Sequence, residues 1–203
     1  VGVRPDAYTY SKPASDPQAI GYVSRMCAEN GFEVLIDAFI LLKKNPAFKS
    51  VKLKATGSQT GDDKEFIHKQ ISKLKKNNID KDFEITHDFT QSALQDFFKL
   101  TTVLSVPVLN GEAFGLYQLE ALASGVPLVQ PELGAFPEIL NATGGGVIYK
   151  PNTAEALAAK LAEVLSDTTK LETMSLSGRK AVEEKFDCGK LSEKMVEIYK
   201  ILV

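Results

Sequence analysis

Several things are scarce in this chain, beginning with two cysteines, two histidines and a formal charge of only −2 over 203 residues. Cys27 and Cys188 are too few for a disulfide framework, which suits a reducing cytosol and predicts a cytoplasmic protein, peripheral to a membrane at most. The near-balanced charge leaves no electrostatic footprint for nucleic acid, and Lys43-Lys44 and Lys73-Leu74-Lys75-Lys76 read as solvated helix faces. Long apolar runs are missing too: Asp37 interrupts Val34 to Leu42, and no segment reaches the roughly 20 residues that a membrane span needs. The N-terminus has no signal-peptide pattern. Ser/His/Asp arrangements, zinc-ligand spacings and H-E-x-x-H are absent, so hydrolase and metalloenzyme readings lack support. Asp80-Lys81-Asp82 has the letters of a metal-binding D-x-D, but it precedes a β-prone run where ligation wants it at the end of one. No metal and no cofactor is expected.

What is present is ordinary soluble-domain composition, 44% hydrophobic and 25% charged, in a length that fits one well-buried core. Short β-prone runs alternate with helical patterns. Ala19 to Val23, Val51 to Ala55, Phe83 to Thr86, Val103 to Val106, Leu128 to Gln130 and Val147 to Tyr149 read as strands. Between and after them Phe32 to Lys43, Asp62 to Lys76, Gln91 to Phe98, the segment from Leu116, Phe136 to Asn141 and Thr153 to Ser166 read as helices. Such alternation implies right-handed crossovers and a doubly wound parallel α/β sheet, Rossmann-like, with ligands bound outside the carboxyl ends of the strands. Arg25 follows the first strand and Glu112 the fourth, which places both on that rim. Two further helices, Leu171 to Lys185 and Gly189 to Leu202, close the chain, and the periodic Leu191, Met195, Ile198 and Leu202 want a partner surface.

The most informative stretch is Gly111 to Val129, where Glu112 and Glu120 flank a loop-to-helix junction. Gly111 and Gly115 break the chain, Leu116, Leu119, Leu122 and Ala123 repeat at a helical period, and Gly125 with Val126-Pro127 ends the helix. The amides of Phe114, Gly115 and Leu116 then sit at a helix start, where unpaired donors and the dipole favour an anion. Glu120, one turn in, borders the apolar stripe, and its two oxygens suit a vicinal diol such as a ribose. The plainer reading makes Glu112 a first-turn acid favoured by the dipole and Glu120 a half-buried glutamate paired with a lysine. Spacing alone leaves both open.

Glu112 and Glu120, with Phe114-Gly115-Leu116 between them, resemble the E-x7-E motif of retaining glycosyltransferases with the GT-B fold. Gly21-Tyr22-Val23-Ser24-Arg25 through Gly31-Phe32 is similar to that family's donor-phosphate loop, in which an arginine is followed five positions later by a lysine and then glycine; here the lysine position is Asn30. Gly134-Ala135-Phe136-Pro137-Glu138 and Gly144-Gly145-Gly146-Val147 resemble the loops that follow, and Val1-Gly2-Val3 resembles the linker into the donor domain. The resemblance implies that residues 1–203 are the nucleotide-sugar donor domain, the C-terminal half of a GT-B enzyme, with an N-terminal acceptor domain outside this chain.

That resemblance implies transfer of a hexose-type unit from a UDP-, GDP- or ADP-linked donor to a glycan, lipid or small-molecule acceptor, with retention, and without turnover by this half alone. Arg25 and Glu112 would be catalytic, Arg25 on the diphosphate and Glu112 on the sugar hydroxyls. Glu120 would hold the ribose, and the Phe114, Gly115 and Leu116 amides the phosphate and sugar. Asn30, Gly57 in Gly57-Ser58-Gln59-Thr60-Gly61, and Thr86 and His87 beside Phe89 complete the expected donor contacts. Two alternatives stay open: a degenerate GT-B domain that binds nucleotide or a protein partner without chemistry, to which Asn30 points, and the epimerases and phosphorylases that share the architecture.

Overall fold

The computed structural model describes residues 1–14 and 16–202. Its elements in chain order are β1 (Ala19–Val23), α1 (Phe32–Lys43), β2 (Lys52–Thr56), α2 (Asp63–Lys76), β3 (Phe83–Thr86), α3 (Gln91–Lys99) and β4 (Val103–Leu104). They continue as α4 (Leu116–Ala123), β5 (Leu128–Pro131), α5 (Phe136–Thr143), β6 (Gly146–Tyr149), α6 (Ala154–Leu165), α7 (Thr168–Lys185) and α8 (Cys188–Leu202). The strands form one parallel sheet in the order β3-β2-β1-β4-β5-β6, with Ile20 of β1 opposite Leu53 on one side and Val103 on the other. Winding therefore reverses between β1 and β4, the point in a doubly wound sheet beside which ligands bind.

Burial explains the strand sequences. All five residues of β1 are buried, because helices cover both faces of the central strand and leave no reason for alternation. In β2 Leu53 and Ala55 are buried while Lys52 and Lys54 are less so, and those lysines pair with Asp82 and Glu84 of the neighbouring chain segment. Phe32, Leu35, Ile36 and Phe39 of α1 pack with Leu157, Leu161 and Val164 of α6 on one face of the sheet. Leu119 and Leu122 of α4, Ile139 and Leu140 of α5, Phe97 and Phe98 of α3 and Val182 of α7 build the core of the other face.

The boundaries differ from the sequence expectation by a few residues, each for a local reason. β4 pairs only over Val103–Leu104, since the Val106 amide leaves the ladder and donates to Gln130 Oε1 at 3.0 Å. Asp167 accepts from the Lys170 amide at 2.9 Å and starts α7 at Thr168, earlier than Leu171. Asp80-Lys81-Asp82 forms a short 3-10 turn before β3, and its Asp82 is held between Lys43 and Lys52. Of the face expected of the last helix, Met195 and Ile198 are exposed, Leu191 is half-buried, and the Leu202 side chain lies outside the described residues; Val196, Tyr199 and Ile201 of α8 are exposed as well. Among the described residues no helix is long and apolar enough to cross a membrane, and Cys27 and Cys188 are free thiols.

Candidate functional site

Three loops meet at the carboxyl rim, and glycines let them touch. Gly57, just past β2, has φ +142°, and a Cβ there would lie 2.0 Å from the Ser24 carbonyl oxygen. Gly31, at the start of α1, has φ +70°, and its Cβ would lie 1.8 Å from the carbonyl oxygen of Pro107. Only glycine fits either place. The Leu109 amide donates to the Glu29 carbonyl at 2.9 Å, which ties the loop after β4 to the loop after β1. Gly57 therefore joins the Arg25 loop through its backbone.

Arg25 reaches across to α2. Its Nε and Nη2 each lie 2.8 Å from a different oxygen of Asp63, and Nη2 also donates to Thr60 Oγ1 at 3.1 Å. The Thr60 amide donates to the same carboxylate at 2.7 Å. The Arg25 guanidinium and then the Thr60 amide hold the Asp63 carboxyl far below its usual range, and Asp63 in turn raises Arg25. Asp63 has a 5% exposed side chain, whereas Arg25 is 44% exposed and keeps a face to solvent. Asn30 supplies no cation. Its Nδ2 donates to Ser24 Oγ at 2.9 Å and to the Arg25 carbonyl at 3.2 Å, so the side chain braces the loop from within.

Glu112 is positioned from below by the loop after β5. The Ala135 amide donates to its carbonyl at 2.9 Å, and Gly134, at φ +53°, passes so close that a Cβ would lie 2.4 Å from that same oxygen. Gly115, at φ +72°, turns the chain into α4. The amides of Phe114, Gly115 and Leu116 donate to no acceptor among the described residues, as a helix start requires of an anion cradle. Gln118 Nε2 donates to the Phe114 carbonyl at 2.6 Å and fixes the turn. Under it the Tyr117 hydroxyl is buried without a partner, and burial together with the Glu112 charge holds that phenol well above its ordinary value.

Glu120 opens on a cavity of about 540 Å³ walled by Arg4, Tyr8, Phe89, Leu94 and Leu116. Its partner is no lysine: the Tyr8 hydroxyl donates to Glu120 Oε1 at 2.8 Å. Burial, then the bond to this carboxylate, raises the Tyr8 phenol. Two expected contacts lie apart. Thr86, at the end of β3, faces a separate hollow shared with Lys54, Glu84 and Leu100, and the exposed His87 has Nδ1 3.1 Å from Gln59 Nε2. Phe89, 54% exposed, is the residue of that loop that walls the Glu120 cavity. Sequence reasoning missed Tyr8, Thr60 and Asp63. The first carries no local signal, whereas an aspartate opening the helix behind a glycine-rich turn could have been marked as an arginine partner.

A model of the family described as "Glycosyl transferases group 1" matches residues 9–181. An uncharacterized glycosyltransferase of Methanocaldococcus jannaschii is 28% identical over 188 residues, 92% of this chain and 45% of that protein. The capsular polysaccharide biosynthesis glycosyltransferase CapM of Staphylococcus aureus is 28% identical over 192 residues, 94% of this chain and 48% of that protein. The chain thus spans about half the length of these curated relatives. Among solved structures, the C-terminal domain of a glycosyl transferase group 1 family protein (LpcC) from Francisella tularensis superposes with a TM-score of 0.80 at 22% identity, covering 91% of this chain and 98% of that one. Anabaena HepE in complex with UDP and glucose gives 0.84 at 18% identity, covering 98% of this chain and 55% of that one. These two likenesses are of fold.

Proposed function

Since the chain belongs to the glycosyl transferases group 1 family, we infer that it is the donor half of a retaining GT-B glycosyltransferase, binding a nucleoside-diphosphate sugar. One observation carries this: the loop after β1, which carries Arg25, and the loop after β4, which leads to Glu112, touch at the point where the winding of the sheet reverses, beside which a doubly wound sheet binds its ligand. In this reading Glu120 accepts from the ribose hydroxyls, Arg25 and the Phe114 to Leu116 amides hold the diphosphate, and Glu112 accepts from hydroxyls of the sugar. When the bond from the anomeric carbon to the diphosphate oxygen breaks, negative charge grows on that oxygen, and the same cation and amides stabilise it. HepE, solved with UDP and with UDP-glucose, supports a uridine nucleotide as the first donor to try.

The exposed apolar face of α8 and the half-length match to relatives support a second, acceptor-binding domain packed beside this one. Transfer itself needs that domain. A second reading, a domain that binds nucleotide without turnover, is favoured by Arg25 already facing a carboxylate and by the uncharged Asn30. Calorimetry of the chain with UDP, GDP, ADP and their sugars tests the binding claim: one nucleoside diphosphate binds, and silence from all of them on a folded protein overturns it. Product analysis on the chain extended by its acceptor half separates transfer with retention from binding alone.

A further inference from the structure

Tyr8 stands 112 positions before Glu120, yet its hydroxyl donates to Glu120 Oε1 at 2.8 Å and the residue is only 8% exposed. The segment that brings it there is fastened at several points. Arg179 Nη1 donates to the carbonyls of Pro5 at 3.1 Å and Tyr8 at 2.8 Å, and also to that of Ala123, the last residue of the helix that carries Glu120. Gln91 and Gln95 both donate to the Ala7 carbonyl, and Val3 bridges to Asp187. Tyr8 and Glu120 are thus both anchored to α7 through Arg179.

A glutamate on a cavity wall samples several rotamers, and ordering it on ligand arrival weakens binding. The Tyr8 bond selects one rotamer beforehand. Oε1 keeps a second lone pair able to accept, and Oε2 has no partner among the described residues, so both oxygens stay available to the cavity. We propose that Tyr8 is a positioning residue that presents the Glu120 carboxylate to a ribose diol and so sets the preference for ribonucleoside over dideoxyribonucleoside diphosphates. The proposal rests on the assignment of Glu120 to the ribose.

Calorimetry with UDP, 2′,3′-dideoxy-UDP and pyrophosphate tests it on the chain, Tyr8→Phe, Glu120→Ala and the double variant. Tyr8→Phe keeps the ring and its packing. It is expected to weaken UDP roughly tenfold, cut the UDP preference over the dideoxy analogue by the same factor, and leave pyrophosphate within about twofold. In the Glu120→Ala background the same change should move UDP affinity less than about twofold, because the group it positions is gone. Unchanged UDP affinity and preference in Tyr8→Phe, alongside a loss in Glu120→Ala, overturns the positioning role. So does an equal loss for UDP and pyrophosphate, which marks a general distortion. If Glu120→Ala itself leaves UDP affinity intact, the ribose assignment has failed, and that failure shows in a different variant.

Discussion

Arg25 and Asp63 form a two-point fork between the loop after β1 and the start of α2, with Nε and Nη2 each 2.8 Å from its own carboxylate oxygen. An arginine held this way is pre-aimed, but half its charge is already answered. Any diphosphate must add its bonds on the exposed side of the guanidinium or draw it off Asp63.

The fork gives stability a pH dependence of definite sign. Asp63 has a folded-state pKa depressed below its ordinary value, so its contribution is full above about pH 4 and is lost as pH falls toward the depressed value. Asp63→Asn should therefore lower the melting temperature at pH 7, with the gap to the parent narrowing between about pH 4 and pH 2. Thermal melts across that range check it, and a gap independent of pH would mean the fork is not its source.

Glu120→Gln keeps an oxygen for the Tyr8 hydroxyl while removing the negative charge that the ribose would meet. Nucleoside-diphosphate affinity should fall about tenfold, equivalent to about 1.4 kcal/mol, with little change in melting temperature. Titration calorimetry beside a thermal melt distinguishes this from a structural glutamate, for which the melt would move and the affinity would not.

At Asn30 the question is what a cation would add. Asn30→Lys gives up the bonds to Ser24 and the Arg25 carbonyl, costing stability by about 1 kcal/mol each. In the proposed donor site it should tighten diphosphate binding by roughly 1 to 3 kcal/mol and steepen the salt dependence. Affinity and salt slope left unchanged would show that position 30 does not face the phosphates.

Gly31→Ala tests the stitching of the loops. A methyl group there would collide with the Pro107 carbonyl, at a backbone φ of +70°. Stability should drop by about 2 kcal/mol or more, because neither strand end can retreat from the sheet. Chemical denaturation measures it, and a loss of only a few tenths would show that the loops part easily.

Most of the architecture was legible in the chain. Strand and helix periods gave β1, α1 and β3 at their observed bounds and α4 at its start, from an apolar run in β1, β-prone residues in β3, and glycine punctuation at Gly31 and Gly115. β4 ended early because the partner that draws Val106 away, Gln130, lies 24 residues on. Glu112, Glu120 and Arg25 could be picked out because their motifs are local. Tyr8, which meets Glu120 only through the fold, could not. Nor could periodicity show that Thr86 lines a hollow other than the Glu120 cavity, since that depends on which segments the fold sets beside β3.

The strand order also dictates a schedule for a nascent chain. β1 emerges first but lies between β2 and β4, so it waits for residues 52–56 to gain one neighbour and for residues 103–104 to gain the other. Tyr8 leaves the ribosome long before Glu120, and Arg179, which fastens both to one helix, appears only when α7 does. The wall that carries Tyr8 and Glu120 is therefore completed only once α7 is made, from segments far apart in the chain, and translation that stops short of α7 yields a sheet without a set binding wall.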